Sequence, residues 1–365
     1  MKLQLFFSFY PAYLKRFYEA RPGLRDESYS RQLQALLDDY FGWPPAVCRR
    51  FAERGHEVDY VIINAAPMQE AWARENGEEA VLGGGEHEIG LARVKRFGAD
   101  VLWMGSMFRF FGPYLRELRR HVRKVVAWIA VDPPPRIDLG GIDLVLTSHQ
   151  TFVDRFGRAG IPTERLLPAF EPDILRSLDS QPSDYDVTFV GSLSAAHGRR
   201  VEMLRLLSKE VPLHLWTPQP RLLSKEIFQR GFLGKHLRSL LLAQHSKGPV
   251  FGMDMYRVLA RSKVVVNVHV EAAKGLAGNM RMFEVTGSGS LLLTDGEQNI
   301  GEIFDPDTQV VCYEDSDELI QKTKFYLRNA AEREAVARAG QERTLRNHST
   351  IGRSVELENI LGEIL

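Results

Sequence analysis

Asn279, Arg281 and Glu284 lie close together in the stretch EAAKGLAGNMRMFEVTGSGS (271–290), directly after the apolar run KVVVNVHV. A strand ending near Glu271, a loop of small residues and a helix opening near Asn279 account for this order of residue types. A helix that opens from a glycine-bearing loop offers unpaired backbone N–H groups and a partial positive charge, and both suit a phosphate. Gly275 and Gly278 permit close approach of the backbone, and Gly278, Asn279, Met280 and Arg281 make up the helix start. Arg281 can add a charge-assisted bond to a phosphate oxygen; Glu284, about one turn further in, can accept two hydrogen bonds from a ribose diol. The competing reading is an ordinary strand, loop and helix with Glu284 on a solvated face.

Other stretches pose the same choice. DVTFVGSLSAAHGRR (186–200) reads as a strand and its turn, where Gly191 and Ser192 let the backbone approach a diphosphate, with His197, Arg199 or Arg200 as counter-charges. A plain strand-to-helix turn with a solvated basic helix start explains those residues equally. Asn267 and His269 alternate with valines and so share one face, either as satisfied core groups or as donor-site groups at the strand's carboxyl end. The usual phosphate motifs are missing: there is no G-x-x-x-x-G-K-[ST], and GSGSLL lacks a third glycine and precedes a strand. Kinases, ATPases and dehydrogenases are therefore not expected. DSD at 315–317 matches a D-x-D metal pattern, but it opens a helix, where Asp and Ser act as caps, so no metal site is expected.

The elements that must position these groups alternate short β-branched or aromatic runs with segments of helical period, the pattern of parallel sheets covered on both faces. The first half offers strands at 3–7, 58–64, 100–105, 125–130 and 143–148, the second at 186–192, 213–217, 264–270, 290–295 and 308–313. The expected organisation is a Rossmann-like domain over 1–172, a linker at 173–184, a second Rossmann-like domain over 185–348 and a last helix over 349–365 packing back on the first domain. A C-cap is expected at Gly340 and a restart near Ser349. In such α/β folds ligands sit beyond the carboxyl ends of strands, which places the expected site in a cleft shared by the two domains.

The 365 residues carry 47 Lys plus Arg against 47 Asp plus Glu, so no overall field draws the chain to nucleic acid or to an anionic membrane. Two cysteines, Cys48 and Cys312, are too few for a disulfide framework and predict a reducing, cytoplasmic setting. The opening MKLQLFFSFYPAYLKRF is too short in its apolar part for a signal segment, and no run is long enough to span a membrane. The basic, leucine-bearing segment 219–247 reads as a solvated amphipathic helix pair, or as a surface for weak peripheral membrane contact or a phosphorylated acceptor. PAYLKRFYEARPG, after the first strand, poses the same choice and is expected to border the acceptor.

YDVTFVGSL, GPVFGMDMYRVLARSKVVVNVHV, GNMRMFEVTGSGSLLLTD, IGEIFDPDTQVVCYEDSDELIQKTKFYL and RAGQERTLRNHSTIGR together cover most of 185–353. This half resembles the C-terminal domain of GT-B fold glycosyltransferases, in particular the CgeB-like group related to glycosyltransferase family 4. The resemblance implies two Rossmann-like domains, a nucleotide-diphosphate sugar as donor, no bound metal or other cofactor, and retention at the transferred carbon. It implies that the helix acid Glu284 binds the nucleotide ribose while the loop at 277–281 holds the diphosphate. By the same resemblance Asp132, which ends the run WIAVD before three prolines, is a candidate for orienting sugar or acceptor hydroxyls, as is His149; an Asp-Pro turn is the alternative for Asp132. Trp216, Thr217 and Phe251 of the PVFGM loop are expected to flank the base. The sequence departs from the resemblance at one point: a family-4 pair of glutamates with seven residues between them would place its first member at Leu276, and Glu271 is out of that register.

The expected activity is transfer of a sugar to an acceptor hydroxyl on a glycan, lipid-linked sugar, protein or small molecule, with Asp132, His269 and Arg281 nearest the chemistry. A sugar-nucleotide epimerase or phosphorylase of the same fold, and a non-catalytic sugar-nucleotide binder or assembly protein, are the alternatives.

Overall fold

The apolar runs form two all-parallel sheets, because strands covered by helices on both faces can be apolar throughout. The computed structural model describes all residues except 106–107, 179–182, 194–197, 219–241, 243–244, 270–274 and 297. The chain divides into two units, Met1–Leu167 with Thr350–Leu365, and Pro168–Ser349.

The first unit holds β1 (Lys2–Phe7), β2 (Glu57–Ile62), β3 (Val101–Met104), β4 (Lys124–Trp128), β5 (Leu144–Thr147) and β6 (Thr163–Arg165) in the order β2-β1-β3-β4-β5-β6. The three-residue β6 was not legible in the sequence: TER carries no apolar run, and it pairs only along the sheet edge with β5. Arg93 is fully buried beneath this sheet, with its guanidinium shared among Asp59 (2.6 Å), Tyr29 (2.7 Å) and Gln69 (3.0 Å). The helix Thr350–Ile364 packs on the helix Trp43–Glu53, and Glu358 accepts from Arg54 at 2.6 Å.

The second unit holds β7 (Tyr185–Val190), β8 (Leu213–Trp216), β9 (Ser262–Asn267), β10 (Leu291–Asp295) and β11 (Val311–Tyr313), ordered β11-β10-β9-β7-β8. The chain enters at β7, steps outward to β8, then crosses back to β9 and runs the other way. The reversal therefore falls between β7 and β9, the switch point beyond which a doubly wound sheet takes its ligands. Segment 173–184 belongs to this unit, and Pro172–Ser177 forms a short 3-10 helix within it.

One expected boundary fails. The helix Ala330–Asn347 runs straight through Gly340, where a C-cap was expected. A Cβ at Gly340 would lie 2.3 Å from the carbonyl oxygen of Gln309, so the glycine serves close packing in mid-helix rather than helix termination. The restart lies at Thr350.

Candidate functional site

Beyond β9 the chain returns at Gly275 and enters the helix Met280–Gly287. Gly275 (φ +79°) and Gly278 (φ +144°) adopt left-handed backbone that other residues disfavour. Asn299, just after β10, holds this loop with both ends of its amide: Oδ1 accepts from the Ala277 N–H at 2.6 Å and Nδ2 donates to the Ala277 carbonyl at 3.0 Å. Asn279 is the N-cap residue, yet its side chain makes no capping hydrogen bond. Its amide nitrogen donates instead to Asn267 Oδ1 at 3.0 Å, and its Oδ1 is buried without a hydrogen bond among the described residues. The first turn of the helix is thus left without the side-chain acceptor that an N-cap usually supplies.

Register explains the polar chain that follows. Asn267 ends β9 directly beside Thr294 on β10, and the two bond at 3.0 Å. Tyr313 of β11 donates its hydroxyl to the Asn267 carbonyl at 2.6 Å. Asp295, next along β10, is fully buried and takes both the backbone N–H of His269 (3.0 Å) and its Nδ1 (2.7 Å). Arg199 reaches the same carboxylate at 3.2 Å. Burial alone would raise the Asp295 pKa, but the His269 hydrogen bonds and the neighbouring charges prevail and hold it below the ordinary carboxylate value. Arg200, also buried, donates to the Val268 carbonyl (2.7 Å) and to the Ser192 carbonyl (3.0 Å), tying the ends of β7 and β9 together across the switch point.

Arg281 and Glu284 form an ion pair at 2.7 Å with side chains 18% and 8% exposed. Arg281 also points a nitrogen at the Met255 sulfur, 3.0 Å away on the helix Gly252–Ala260. Burial raises the Glu284 pKa and the Arg281 charge opposes the rise. The two residues read from the sequence as separate hands for phosphate and ribose are therefore each other's partner, and Glu284 is buried rather than on a solvated face.

The structure brings together Asn267, His269, Gly278, Asn279, Met280, Arg281, Glu284 and Arg199 around the ends of β9 and β10, with Gly191 and Ser192 at the end of neighbouring β7. The remaining candidates have partners of their own, and the Trp216 carbonyl accepts from the Gly191 N–H at 3.1 Å. The Trp216 ring meets Tyr185, from the opening residue of β7, edge-on at 4.8 Å, and the Lys247 ammonium lies 5.1 Å from its centroid, so that ring is committed to the sheet's flank. Thr217 N–H is spent on Ser246 Oγ at 3.0 Å, and Phe251 is the N-cap residue of the helix Gly252–Ala260. Asp132 and His149 belong to the first unit, where Asp132 is exposed and pairs with Arg155 at 2.9 Å and His149 precedes the helix Gln150–Arg158. His197, Glu271 and most of 219–247 lie outside the described residues.

Sequence reading missed Asp295, Thr294, Asn299 and Tyr313. The signal for the first two was a polar pair closing LLLTD, the strand beside β9; Asn299 and Tyr313 had none. Asp315, from the D-x-D pattern, caps the helix Ser316–Arg328 by accepting from Asp317 and Glu318 N–H groups, both at 2.9 Å. Among the described residues no group of three His, Cys, Asp or Glu is placed to hold a metal ion, and no helix is long and apolar enough to cross a membrane.

Two doubly wound parallel-sheet units define the class: the fold is that of the GT-B glycosyltransferases. Residues 199–359 match the family model described as glycosyl transferase-like. The chain is similar in structure to the sucrose-phosphate synthase of Thermosynechococcus elongatus (TM-score 0.62, 13% identity, covering 100% of this chain and 99% of that one). It is similar to Anabaena HepE in complex with UDP-glucose (TM-score 0.61, 13% identity, 99% of each chain). A third likeness is AviGT4, a glycosyltransferase involved in avilamycin A biosynthesis (TM-score 0.58, 13% identity, 100% of this chain and 98% of that one). No curated protein sequence matches the chain.

Proposed function

We propose that this protein is a glycosyltransferase of the CgeB-like group related to family 4, moving a sugar from a nucleotide-diphosphate sugar to an acceptor hydroxyl without a metal ion and with retention at the transferred carbon. The observation that carries this reading is the helix Met280–Gly287: it opens with no side-chain cap, follows positive-φ Gly278 and keeps the Arg281–Glu284 pair, with a buried acid and a partly buried base, in its first turns. Its match to the glycosyl transferase-like model supports the same reading.

In this reading the diphosphate rests on the N–H groups at 278–281, with Arg281 and Arg199 supplying charge as the leaving group becomes more negative. Glu284, held by Arg281, accepts from the ribose diol; fixing the nucleotide there positions the reacting carbon. His269 and Asn267 lie on the donor-sugar side, and Asp132 serves to orient hydroxyls. UDP is the first nucleotide to test, since it is the one bound by the structurally similar HepE. Cytosolic residence rests on the two free cysteines.

A thermal-shift series with UDP, GDP, TDP and CDP tests the site, because a ligand that binds only the native state raises the midpoint. A rise with UDP is expected; no rise with any of them overturns the reading. Incubation with sugar nucleotides should release free nucleotide only when acceptor is present. The second reading, a non-catalytic sugar-nucleotide binder, is favoured by Leu276 at the position of the family's first glutamate, and binding without turnover would establish it.

A further inference from the structure

The first unit has a reversal of its own. In the order β2-β1-β3 the chain opens in β1, steps outward to β2 and crosses back past β1 to β3, so a switch point falls between β1 and β3. The Phe7 ring, at the end of β1, lies over the end of β3: a Cβ at Gly105 would come within 2.9 Å of it. The loop beyond β1 is held as the loop beyond β9 is. Asn64, just past β2, accepts from the Phe9 N–H at 3.0 Å and donates to the Phe9 carbonyl at 2.8 Å, the same two-ended grip that Asn299 keeps on Ala277. A loop fixed in this way at a switch point has little ordering left to lose when a ligand arrives.

Tyr10, the next residue, is 67% exposed. Its ring meets Phe41 edge-on at 5.7 Å, and Phe41 in turn stacks on Tyr13 at 4.0 Å, so the exposed ring is braced by a buried one. Phe9 and Tyr13 are 4% and 2% exposed, which leaves an apolar surface of little more than the single Tyr10 ring. That area suits one face of a pyranose, whose C–H groups are apolar and whose hydroxyls stand around the rim; it is too small to hide an acyl chain. The stretch FFSFYPAYL (6–14) carries no charged residue, so it offers no side-chain charge to a phosphorylated acceptor.

We propose that Tyr10 is the platform on which the acceptor stacks, and that the acceptor is an uncharged saccharide. This rests on the transferase reading given above and narrows it from any hydroxyl-bearing acceptor to a sugar ring. Saturation-transfer NMR in the presence of UDP, with glucose, N-acetylglucosamine, maltose, cellobiose and lactose as probes, tests it. At least one sugar should take up saturation, most strongly on the C–H protons of one face. Tyr10→Ala should weaken that sugar about tenfold or more, Tyr10→Phe and Tyr10→Trp should hold it within about threefold, and UDP affinity by calorimetry should move less than about twofold in all three. The same sugar should drive release of UDP from a UDP-sugar (glucose, galactose and N-acetylglucosamine tested), with its KM raised about tenfold and kcat nearly unchanged in Tyr10→Ala.

A Tyr10→Ala protein that binds and uses the sugar as the wild type does overturns the proposal, as does a wild-type chain that binds UDP but none of the sugars, or one that binds a sugar without passing a glycosyl group to it. Should Tyr10→Ala not fold, Tyr10→Gln takes its place with the same expected loss. A wild-type chain that binds no UDP defeats the donor-site reading itself, and is recognised separately by flat UDP titrations.

Discussion

Arg281 and Glu284 stand one helical turn apart and are joined at 2.7 Å, with the acid buried and the base only slightly less so. Each satisfies a charge that the other's surroundings would penalise. In the proposed reading, a nucleotide at this helix would meet a cation already neutralised in part, which would couple ribose recognition to charge balance in one pair.

Removing the acid tests the coupling directly. Glu284→Ala should weaken UDP binding by about 1–3 kcal/mol, the scale of charged hydrogen bonds lost. Isothermal calorimetry reads the change, and an unaltered affinity means that the ribose is held elsewhere.

The pH dependence has a definite sign. Burial, opposed by Arg281, lifts the Glu284 carboxyl above its ordinary 4.5, so UDP binding should decline as pH falls towards that raised value. Arg281→Met removes the opposing charge and should shift the decline to higher pH. For stability the sense is reversed: folding favours the protonated acid, so this residue's contribution weakens as pH rises from 4.5 through the raised pKa. Titrations of affinity and of urea midpoint from pH 5 to 8 should therefore slope in opposite directions for this group; parallel slopes would contradict the assignment.

Asp295 behaves oppositely. Its carboxyl is depressed below 3.8, so its stabilisation is full above that value and is lost as pH falls through the folded-state pKa. Asp295→Ala should cost about 3–5 kcal/mol at neutral pH, because His269 and Arg199 lose their common buried partner, and the loss should shrink in acid. Denaturant unfolding at pH 7 and pH 3 measures both.

Asn299 touches the loop and not the proposed ligand. Asn299→Ala breaks two hydrogen bonds to Ala277 and should speed hydrogen exchange at the Ala277 amide while weakening UDP binding several-fold. Unchanged exchange at that amide would show that the loop is held by other contacts.

Gly340→Ala sets helix propensity against packing. Alanine is the better helix former, yet its methyl would meet the Gln309 carbonyl at 2.3 Å. A net loss of about 1–3 kcal/mol is expected from overpacking, and a gain in thermal midpoint would show that the turn at Gln309 gives way freely.

Much of this molecule is determined by local sequence. Continuous apolar runs such as VVVN and LLLTD give buried parallel strands, the glycines at 275 and 278 give the left-handed loop, and the order of types from Asn279 to Glu284 gives the helix start. These follow from side-chain period and backbone freedom, which act over a few residues.

What only the tertiary structure decided is who stands beside whom. Asp295 meets His269 across 26 residues of chain because β10 lies next to β9 in a register that aligns Thr294 with Asn267. Asn299 reaches Ala277 for the same reason, and Gly340 reads as a terminator until the turn at Gln309 presses against it. Register and layer packing are settled by burial of the whole sheet, so no local pattern could announce which strand-end groups would share a proton or a loop.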